Sequence, residues 1–491
     1  MNRKSHNDFK INQVDLITDL QTLIRQPSVS AKNIGMTECA IKLQNIMTKA
    51  GIATKLIYPD QNSNEFINIK SESKLGYSPD LKNDAIPPIV YGEIRSKKNP
   101  DGKTILFYNH YDVQPEDPVD LWENKDPFSG KIHGNFIYGR GSSDDKGEIM
   151  TRIKAVEYLL KKYGDIPCNV KFLIEGEEEI GSPHIKAFLN QYKELLHCDG
   201  VIWEFGYFDE KDRPLIILGV KGILYVEIVT KGGPSRDVHS SLASLIENPA
   251  WIMVNVLKNI RSDSGRILIP DWYREMRPFS NYEITILQEQ PFDEEFFKKE
   301  YGIDKFLNNL NGFEAKKYYE GMPTCNISGL YSGFSGKGSK TVLPNKAVAK
   351  IDFRLVPDMD PDLQFKRLCD HLEQCGFTQD MLEIKLVHKT PPARNSSINN
   401  QFISVVEETA KNIFDTAIKC ISSAATGPMY YFMNILDAPC VCIGSSYKYG
   451  KAHAPNEYAR LDLLLKTTEY ISAIIENFGK INRKKLNQSK I

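Results

Sequence analysis

The stretch Thr104-Ile105-Leu106-Phe107-Tyr108-Asn109-His110-Tyr111-Asp112 is an apolar run that closes on an imidazole and a carboxylate two positions apart. A short apolar run of this kind, following the turn Asn99-Pro-Asp-Gly102, reads as a buried strand. Two-residue alternation puts His110 and Asp112 on one face of the emerging chain. A histidine that binds metal needs its second ring nitrogen held, and Asp112 is placed to do so, fixing the tautomer and raising ligand basicity.

Outward from this strand, helix and strand patterns alternate. Apolar positions such as Val14, Ile17, Leu20, Leu23 and then Ala40, Leu43, Met47 predict two helices over 12–50, the second ended by Gly51. After a loop-rich stretch, 60–84, Ile89 to Ile94 reads as a strand; Gly147 to Lys162 reads as a helix and Asn169 to Glu175 as a strand. This alternation predicts an α/β fold, a sheet with helices on both faces.

The texture changes at Gly219-Val-Lys-Gly222. A strand, Ile223 to Val229, precedes the loop Lys231 to His239 and the helix Pro249 to Ile260. Residues 261–323 are a mixed segment rich in charge and aromatics. A strand pair, 339–343 with 347–356, a helix from Pro361 to Gly376 and a strand from Leu382 to His388 complete a compact α+β unit. The proline-bearing stretch Lys389-Thr-Pro-Pro-Ala393 leads back. Gln401 to Phe414 is then helical, Ala438 to Gly444 an apolar strand, and Asp462 to Phe478 a last helix. Because a candidate ligand, His453, lies in this final part, the first domain is expected to be discontinuous. Its pieces are 1–221 and 390–479, with 222–389 inserted as a lid and dimerisation domain and 480–491 a basic tail.

Composition excludes several classes. In 491 residues, 62 Lys plus Arg balance 63 Asp plus Glu, so no excess charge steers the protein toward nucleic acid or a membrane surface, and a small substrate is expected. Nine cysteines include no CxxC pair, and Cys440-Val-Cys442 lies in an apolar run, which suits buried thiols in a reducing compartment. The amino-terminal residues lack an apolar signal region, and no apolar run is long enough to span a bilayer; a soluble, cytoplasmic protein is expected.

His110, Asp112, Asp144, the run Glu177-Glu178-Glu179, Glu204 and His453 all fall at strand ends or in loops, where metal sites are built. Asp144 sits in the glycine-punctuated loop Tyr138-Gly-Arg-Gly-Ser-Ser-Asp-Asp-Lys-Gly147. From there one carboxylate can give an oxygen to each of two metals, as in two-metal hydrolases; the alternative is that Asp144 or Asp145 caps the next helix. Three adjacent acids at the end of the strand Asn169 to Glu175 repel one another unless cations or solvent neutralise them. One could bind metal while its neighbour serves as general base; the alternative is a solvated acidic turn. Glu204, inside Val201-Ile-Trp-Glu-Phe-Gly206, would be buried, and a metal or an ion pair would relieve that cost. His453, in Lys451-Ala-His-Ala-Pro-Asn-Glu457, taken alone could be an ordinary surface histidine. Together the donors make an oxygen-rich site with coordination left for water, a catalytic arrangement.

These segments, in this order and over nearly the whole chain, resemble the zinc-dependent aminoacylase and peptidase family. That family includes acetylornithine deacetylase, succinyl-diaminopimelate desuccinylase, the bacterial glutamate carboxypeptidase and carnosine dipeptidase. The resemblance implies two Zn²⁺ per subunit, with Mn²⁺ or Co²⁺ possible. His110 and Glu204 would be terminal ligands of one, Glu179 and His453 of the other, and Asp144 the bridge. Glu178 would be the general base for a water activated between the zinc ions, since the family's paired acids directly precede x-Gly-Ser.

The segments Asp237-Val-His-Ser240, Met322 to Gly329, Gly336 to Pro344 and Asp352-Phe-Arg-Leu-Val-Pro357 look like the carnosine dipeptidase branch. The branch implies a homodimer in which His239 reaches across the interface to the tetrahedral intermediate, Arg354 binds the substrate's C-terminal carboxylate, and Thr341 and Gly427 line the pocket. Cleavage of dipeptides or short peptides with a free C-terminal carboxylate is the activity expected. Because Glu204 is an acid that the deacylases share, where many dipeptidases have Asp, N-acyl amino acid deacylation is the alternative.

Overall fold

The computed structural model describes residues 12–59, 86–395, 400–447 and 449–481. The loop-rich stretch 60–84 therefore lies outside the described residues, as does all of the basic tail past its first two positions.

The strand Thr104–His110 is buried along its whole length. Ile105 and Phe107 pack into one apolar core, with the helices Gln13–Ile24, Lys146–Tyr163 and Leu461–Gly479, while Leu106 and Tyr108 pack into another, with Ile185, Phe188, Met429 and Phe432. Each face of the strand thus loses its water to a different helical layer, which is why the run reads as continuously apolar rather than alternating.

The strand lies in a mixed eight-stranded sheet. Its order is Ala53–Ile57, Ile89–Ile94, Asn169–Glu175, Thr104–His110, Gly200–Trp203, Cys440–Cys442, Leu215–Ile217 and Ile418–Cys420. Asn169–Glu175, Thr104–His110, Gly200–Trp203 and Cys440–Cys442 run parallel to one another. Parallel strands need crossovers, and their C-terminal ends all open on the same edge, the usual place for a site in such sheets. All nine cysteines are free, and those of Cys440–Cys442 are buried strand residues.

Residues between Gly222 and Thr390 build a second, antiparallel sheet in the order Thr324–Ser332, Ala347–Leu355, Gly222–Thr230, Leu382–Thr390. Gly222–Thr230 and Ala347–Leu355 alternate strictly between buried and half-buried. One face carries Leu224, Val226, Ile228, Ala349, Ile351 and Phe353 against the helices Pro249–Ile260 and Pro361–Gln374. The fold is α/β with two domains. The partner of Ala347–Leu355 is Thr324–Ser332, not the segment 339–343; from the latter only Val342–Leu343 is strand, paired with Val238–His239. The mixed segment 261–323 contains the helices Asn281–Glu289, Glu294–Tyr301 and Gly312–Gly321. The first is fixed by a capping box in which Ser280 and Glu283 satisfy each other's backbone amides.

Candidate metal centre

Loops beyond the C-terminal ends of the parallel strands meet the Asp144 loop, which runs from the strand Phe136–Tyr138 of a separate three-stranded sheet into the helix Lys146–Tyr163. His110 ends its strand directly beside Glu175 of the neighbouring strand, and its ring is fully buried. Its Nδ1 lies 3.0 Å from the backbone oxygen of Asp112 and 3.3 Å from that residue's Oδ1, leaving Nε2 to face Asp144 Oδ1 at 3.0 Å. The other oxygen of Asp144 meets His453 Nε2 at 3.0 Å. A single carboxylate therefore divides its two oxygens between two imidazoles that are 343 positions apart in the chain (453 minus 110). His453 Nε2 also lies 3.2 Å from Glu179 Oε2. Ligand atoms of His110, Asp144 and Glu179 all come within 4.8 Å of one another, a spacing that could hold a metal ion.

The acidic run divides by partner. Glu177 pairs with His184 at 2.7 Å. Glu178 and Glu179 follow in a short 3-10 turn whose amides Asp112 accepts, at 3.2 Å to Oδ1 and 2.9 Å to Oδ2. Asp112 thus touches both the His110 ring and the backbone of the two acids. Glu179 is held further by Gln114, whose backbone N–H and side-chain amide donate to its two oxygens at 3.1 and 2.8 Å.

Glu204 follows the strand Gly200–Trp203; its Oε1 accepts from Trp203 Nε1 at 3.0 Å, and its Oε2 is buried with no hydrogen-bond partner. A buried carboxylate oxygen left orphaned is expensive unless a cation meets it. Glu204 and Glu178 share a wall: a Cβ built on Gly427 would lie 3.6 Å from Glu204 Oε1 and 3.8 Å from Glu178 Oε1. Asp145 is the residue before the helix Lys146–Tyr163, yet it makes no side-chain cap. Its carboxylate instead accepts from Asn109 Nδ2 at 2.7 Å and His110 N at 3.1 Å.

The electrostatics are those of a crowded acidic site. Burial pushes the carboxyls of Glu178 and Glu204 well up; the charges of Glu179 and Asp144 raise Glu178 further, the charge of Glu178 raises Glu204 further, and His110 relieves both in part. Burial acts on Asp144 in the same direction, but the two imidazoles outweigh it and hold this carboxyl far below the usual range. Burial lowers His453, yet Asp144 and Glu179 prevail and push it up to about 11. The three carboxylates of Asp144, Glu179 and Glu204 with two imidazoles make a donor set that suits a hard divalent cation.

The remaining candidates lie on the inserted domain or its contact with the first. Arg354 reaches across to Thr426, donating from Nη1 to Oγ1 at 2.5 Å, and its Nε stands 3.9 Å from Asp352. That gap is too long for a tight strand-edge pair, so among the described residues no carboxylate holds the fork at hydrogen-bonding distance. His239 and Thr341 come together through the ladder of Val238–His239 with Val342–Leu343, both exposed. Among the described residues, the only hydrogen bonds of the His239 ring are to Ser241, and none goes to the candidate ligands.

Sequence reasoning missed the scaffold beneath the ligands. Arg152, fully buried, pairs with Glu148 at 3.1 Å and donates to the carbonyls of Trp203 and Glu204, both at 2.8 Å, and of Ile443 at 3.2 Å. Glu148 in turn accepts from the amides of Ser445 and Ser446 at 2.6 and 2.9 Å. The available signal was a charged pair at i,i+4 inside a helix otherwise meant for the core. His388 was also missed: it approaches within 2.7 Å of where a side chain on Gly181 would stand, beside the acidic turn.

The model of the peptidase family M20/M25/M40 matches residues 106–477. The Beta-Ala-His dipeptidase of Homo sapiens is 28% identical over 385 residues, 77% of this chain and 75% of that protein. The Cys-Gly metallodipeptidase DUG1 of Candida albicans is 30% identical over 351 residues, 68% of this chain and 70% of that one. Among solved structures, the M20 family metallo-carboxypeptidase Sso-CP2 of Sulfolobus solfataricus superposes with a TM-score of 0.84 at 34% identity, covering 96% of this chain and all of its own. A family match that takes in the strand of His110, the Asp144 loop, the acidic turn and the His453 loop, together with relatives that are dipeptidases, means that this chain is a peptidase of the M20/M25/M40 family.

Proposed function

We propose that the protein hydrolyses the amide bond of dipeptides or short peptides that carry a free C-terminal carboxylate, using a pair of divalent cations, zinc by preference. The observation that carries this reading is the division of Asp144 between His110 and His453, one oxygen each at 3.0 Å. His110 and Glu204 would hold one ion, Glu179 and His453 the other, and Asp144 both. Bound there, the ions would supply Lewis acidity toward the scissile carbonyl and a water of lowered pKa. The dipeptidases and the metallo-carboxypeptidase among the relatives support the substrate class.

Glu178, which shares the Gly427 wall with Glu204, takes the proton of the attacking water and returns it to the leaving amine. Asp112 holds its backbone in place for that exchange. Arg354, steadied by Thr426, grips the substrate's carboxylate in a bidentate fork. His239 is supplied by a second copy and donates to the developing oxyanion; Thr341 accompanies it. With the domains divided at 222 and 389, the substrate would lie between the catalytic and inserted parts.

A homodimer formed through the inserted domain accords with the apolar groups it exposes, among them Trp251 at 65%, Leu330 at 53% and Tyr331 at 61%. No helix among the described residues is long and apolar enough to cross a membrane, and the free cysteines accord with a cytoplasmic location.

The test is one assay of the zinc-loaded protein with a panel of free dipeptides, the same dipeptides as C-terminal amides, and N-acetyl or N-succinyl amino acids. Hydrolysis confined to substrates with a free carboxylate and a peptide bond supports the proposal. Faster cleavage of the N-acyl amino acids would replace it with the deacylase reading, which the glutamate at 204 favours.

A further inference from the structure

Four residues beyond His453, Glu457 has its carboxylate completely buried. Its Oε1 accepts from the amides of Ser143 and Asp144 at 2.9 and 3.0 Å. Its Oε2 accepts from the amide of Gly141 at 3.0 Å and from Arg140 Nη1 at 2.8 Å. The backbone carbonyl of Glu457 takes a further bond from Gly139 N at 3.0 Å. The Asp144 loop is therefore wound around this one side chain. The base of the carboxylate is rigid, because the next residues, Tyr458–Arg460, form a strand against Phe136–Tyr138.

An ion pair with Arg140 alone would satisfy a buried charge; it does not require three consecutive-loop amides to converge on the same two oxygens. Such convergence shapes backbone. Gly141, at φ +84°, has no room for a side chain, since a Cβ there would stand 2.7 Å from Val113. The Asp144 loop thus runs close to Val113 at Gly141, where only a glycine fits, and is held by Glu457. At its end, the Asp144 carboxylate must aim one oxygen at each imidazole. The His453 loop is itself unusual backbone, with positive φ at Lys451, His453 and Asn456, and it is anchored where Glu457 leaves it.

From this we propose that Glu457 is a positioning residue for the metal centre: one buried carboxylate that locks the loop of Asp144 to the loop of His453, so that the shared ligand and a terminal ligand move as a unit. The inference rests on the metal-centre reading above, and the experiment separates the two.

Glutamine at 457 keeps the volume but has a single acceptor oxygen. Whichever way the amide turns, its NH₂ faces two donors, either the Ser143 and Asp144 amides or the Gly141 amide and Arg140. Two hydrogen bonds are lost and the loop is pushed away. Zn²⁺ affinity is measured by chelator competition on folded wild type, Glu457→Gln, Asp144→Asn and the double variant, with thermal melts of each. A remote core variant, Ile474→Val, serves as the control for general loosening.

Wild type binding no divalent ion would overturn the metal-centre reading itself. With wild type binding, Glu457→Gln is expected to weaken Zn²⁺ by about 10- to 100-fold, the range seen when groups behind a ligand are removed, and to add no loss in the Asp144→Asn background. The inference is overturned if Glu457→Gln leaves affinity within about two-fold of wild type, if it costs as much in the Asp144→Asn background, or if Ile474→Val weakens Zn²⁺ equally. Should Glu457→Gln not fold, Glu457→Asp, which keeps the charge but withdraws it by one methylene, is put through the same cycle and judged by the same outcomes.

Discussion

Replacing Glu178 by Gln removes the proposed base while leaving almost everything else in place. The amide has the volume of the acid, and the backbone N–H that Asp112 accepts at 3.2 Å is untouched. Burial and the charges of Glu179 and Asp144 act on this carboxyl in one direction, raising it well above the ordinary range, with His110 opposing. A carboxylate poised upward toward neutrality is what proton transfer in both directions needs. Loss of a positioned general base lowers turnover by roughly 10²- to 10⁴-fold, equivalent to about 3 to 5 kcal/mol of transition-state stabilisation. The ground state should notice little, because Glu178 grips neither substrate terminus. The fold should be no less stable, since one member of a crowded buried set of like charges has become neutral. The assay is kcat and KM for a free dipeptide, with ion content and a thermal melt measured on the same preparation. Turnover within about ten-fold of wild type, with ions retained, would remove Glu178 from the mechanism.

Arg354→Lys keeps a positive charge but not the fork that Thr426 steadies. It is expected to raise KM for free-carboxylate substrates by about 10- to 100-fold with kcat little changed, and to erase the preference over C-terminal amides in a side-by-side assay. Gly427→Ala places a methyl 3.1 Å from Trp203 Cζ2 and between the oxygens of Glu178 and Glu204. A melt should show a loss on the order of 1 kcal/mol, and kcat/KM should fall by about ten-fold or more; unchanged kinetics would move Gly427 out of the pocket wall. Burial and the charges of Asp112 and Glu177 push Glu175 up to about 8 against the hydroxyl bonds of Tyr108 and Ser182. A raised folded pKa gives stability that is complete below the unfolded value of about 4.3 and is lost as pH rises through the folded value. Chelated wild type should therefore lose stability relative to Glu175→Gln between about pH 4.3 and 8, by a few kcal/mol; a flat difference across that window would show Glu175 to be ionised throughout.

The elements that could be read in the sequence were those whose local pattern and tertiary environment agree. Thr104–His110 is apolar on both faces because both faces are covered, and Gly222–Thr230 alternates because only one of its faces meets a core. Pairing was harder to read. Asn169–Glu175 enters the sheet between Ile89–Ile94 and Thr104–His110, and no local residue choice announces a neighbour more than sixty positions away. The first of the three helices of 261–323 did have a local signal in Ser280 and Glu283, a cap whose two halves bond each other, but it was submerged in a stretch where charges and aromatics follow no clean period.

The same division runs through the candidate site. Ligand types are visible because an acid or imidazole at a strand end has few inexpensive fates. Which acid of the run faces inward is decided by a residue outside it: His184 takes Glu177, and Asp112 bonds the amides of the other two. The charges behind them, Glu148 with Arg152 and Glu457 with Arg140, are still less legible, because a charged residue in a sequence looks exposed until its donors are known. Each of these four is buried; Glu148, Arg152 and Glu457 direct hydrogen bonds to the backbone of candidate ligand-bearing or adjoining segments, and Arg140 holds the Glu457 carboxylate. Buried ion pairs contribute little net stability compared with apolar replacements, so stability alone gives them no reason to be here. Their acceptors and donors do: Arg152 binds the carbonyl of Glu204, and Glu457 the amide of Asp144. The cost of burying four charges is therefore best understood as holding a set of backbone positions to within the tolerance that ligand geometry demands.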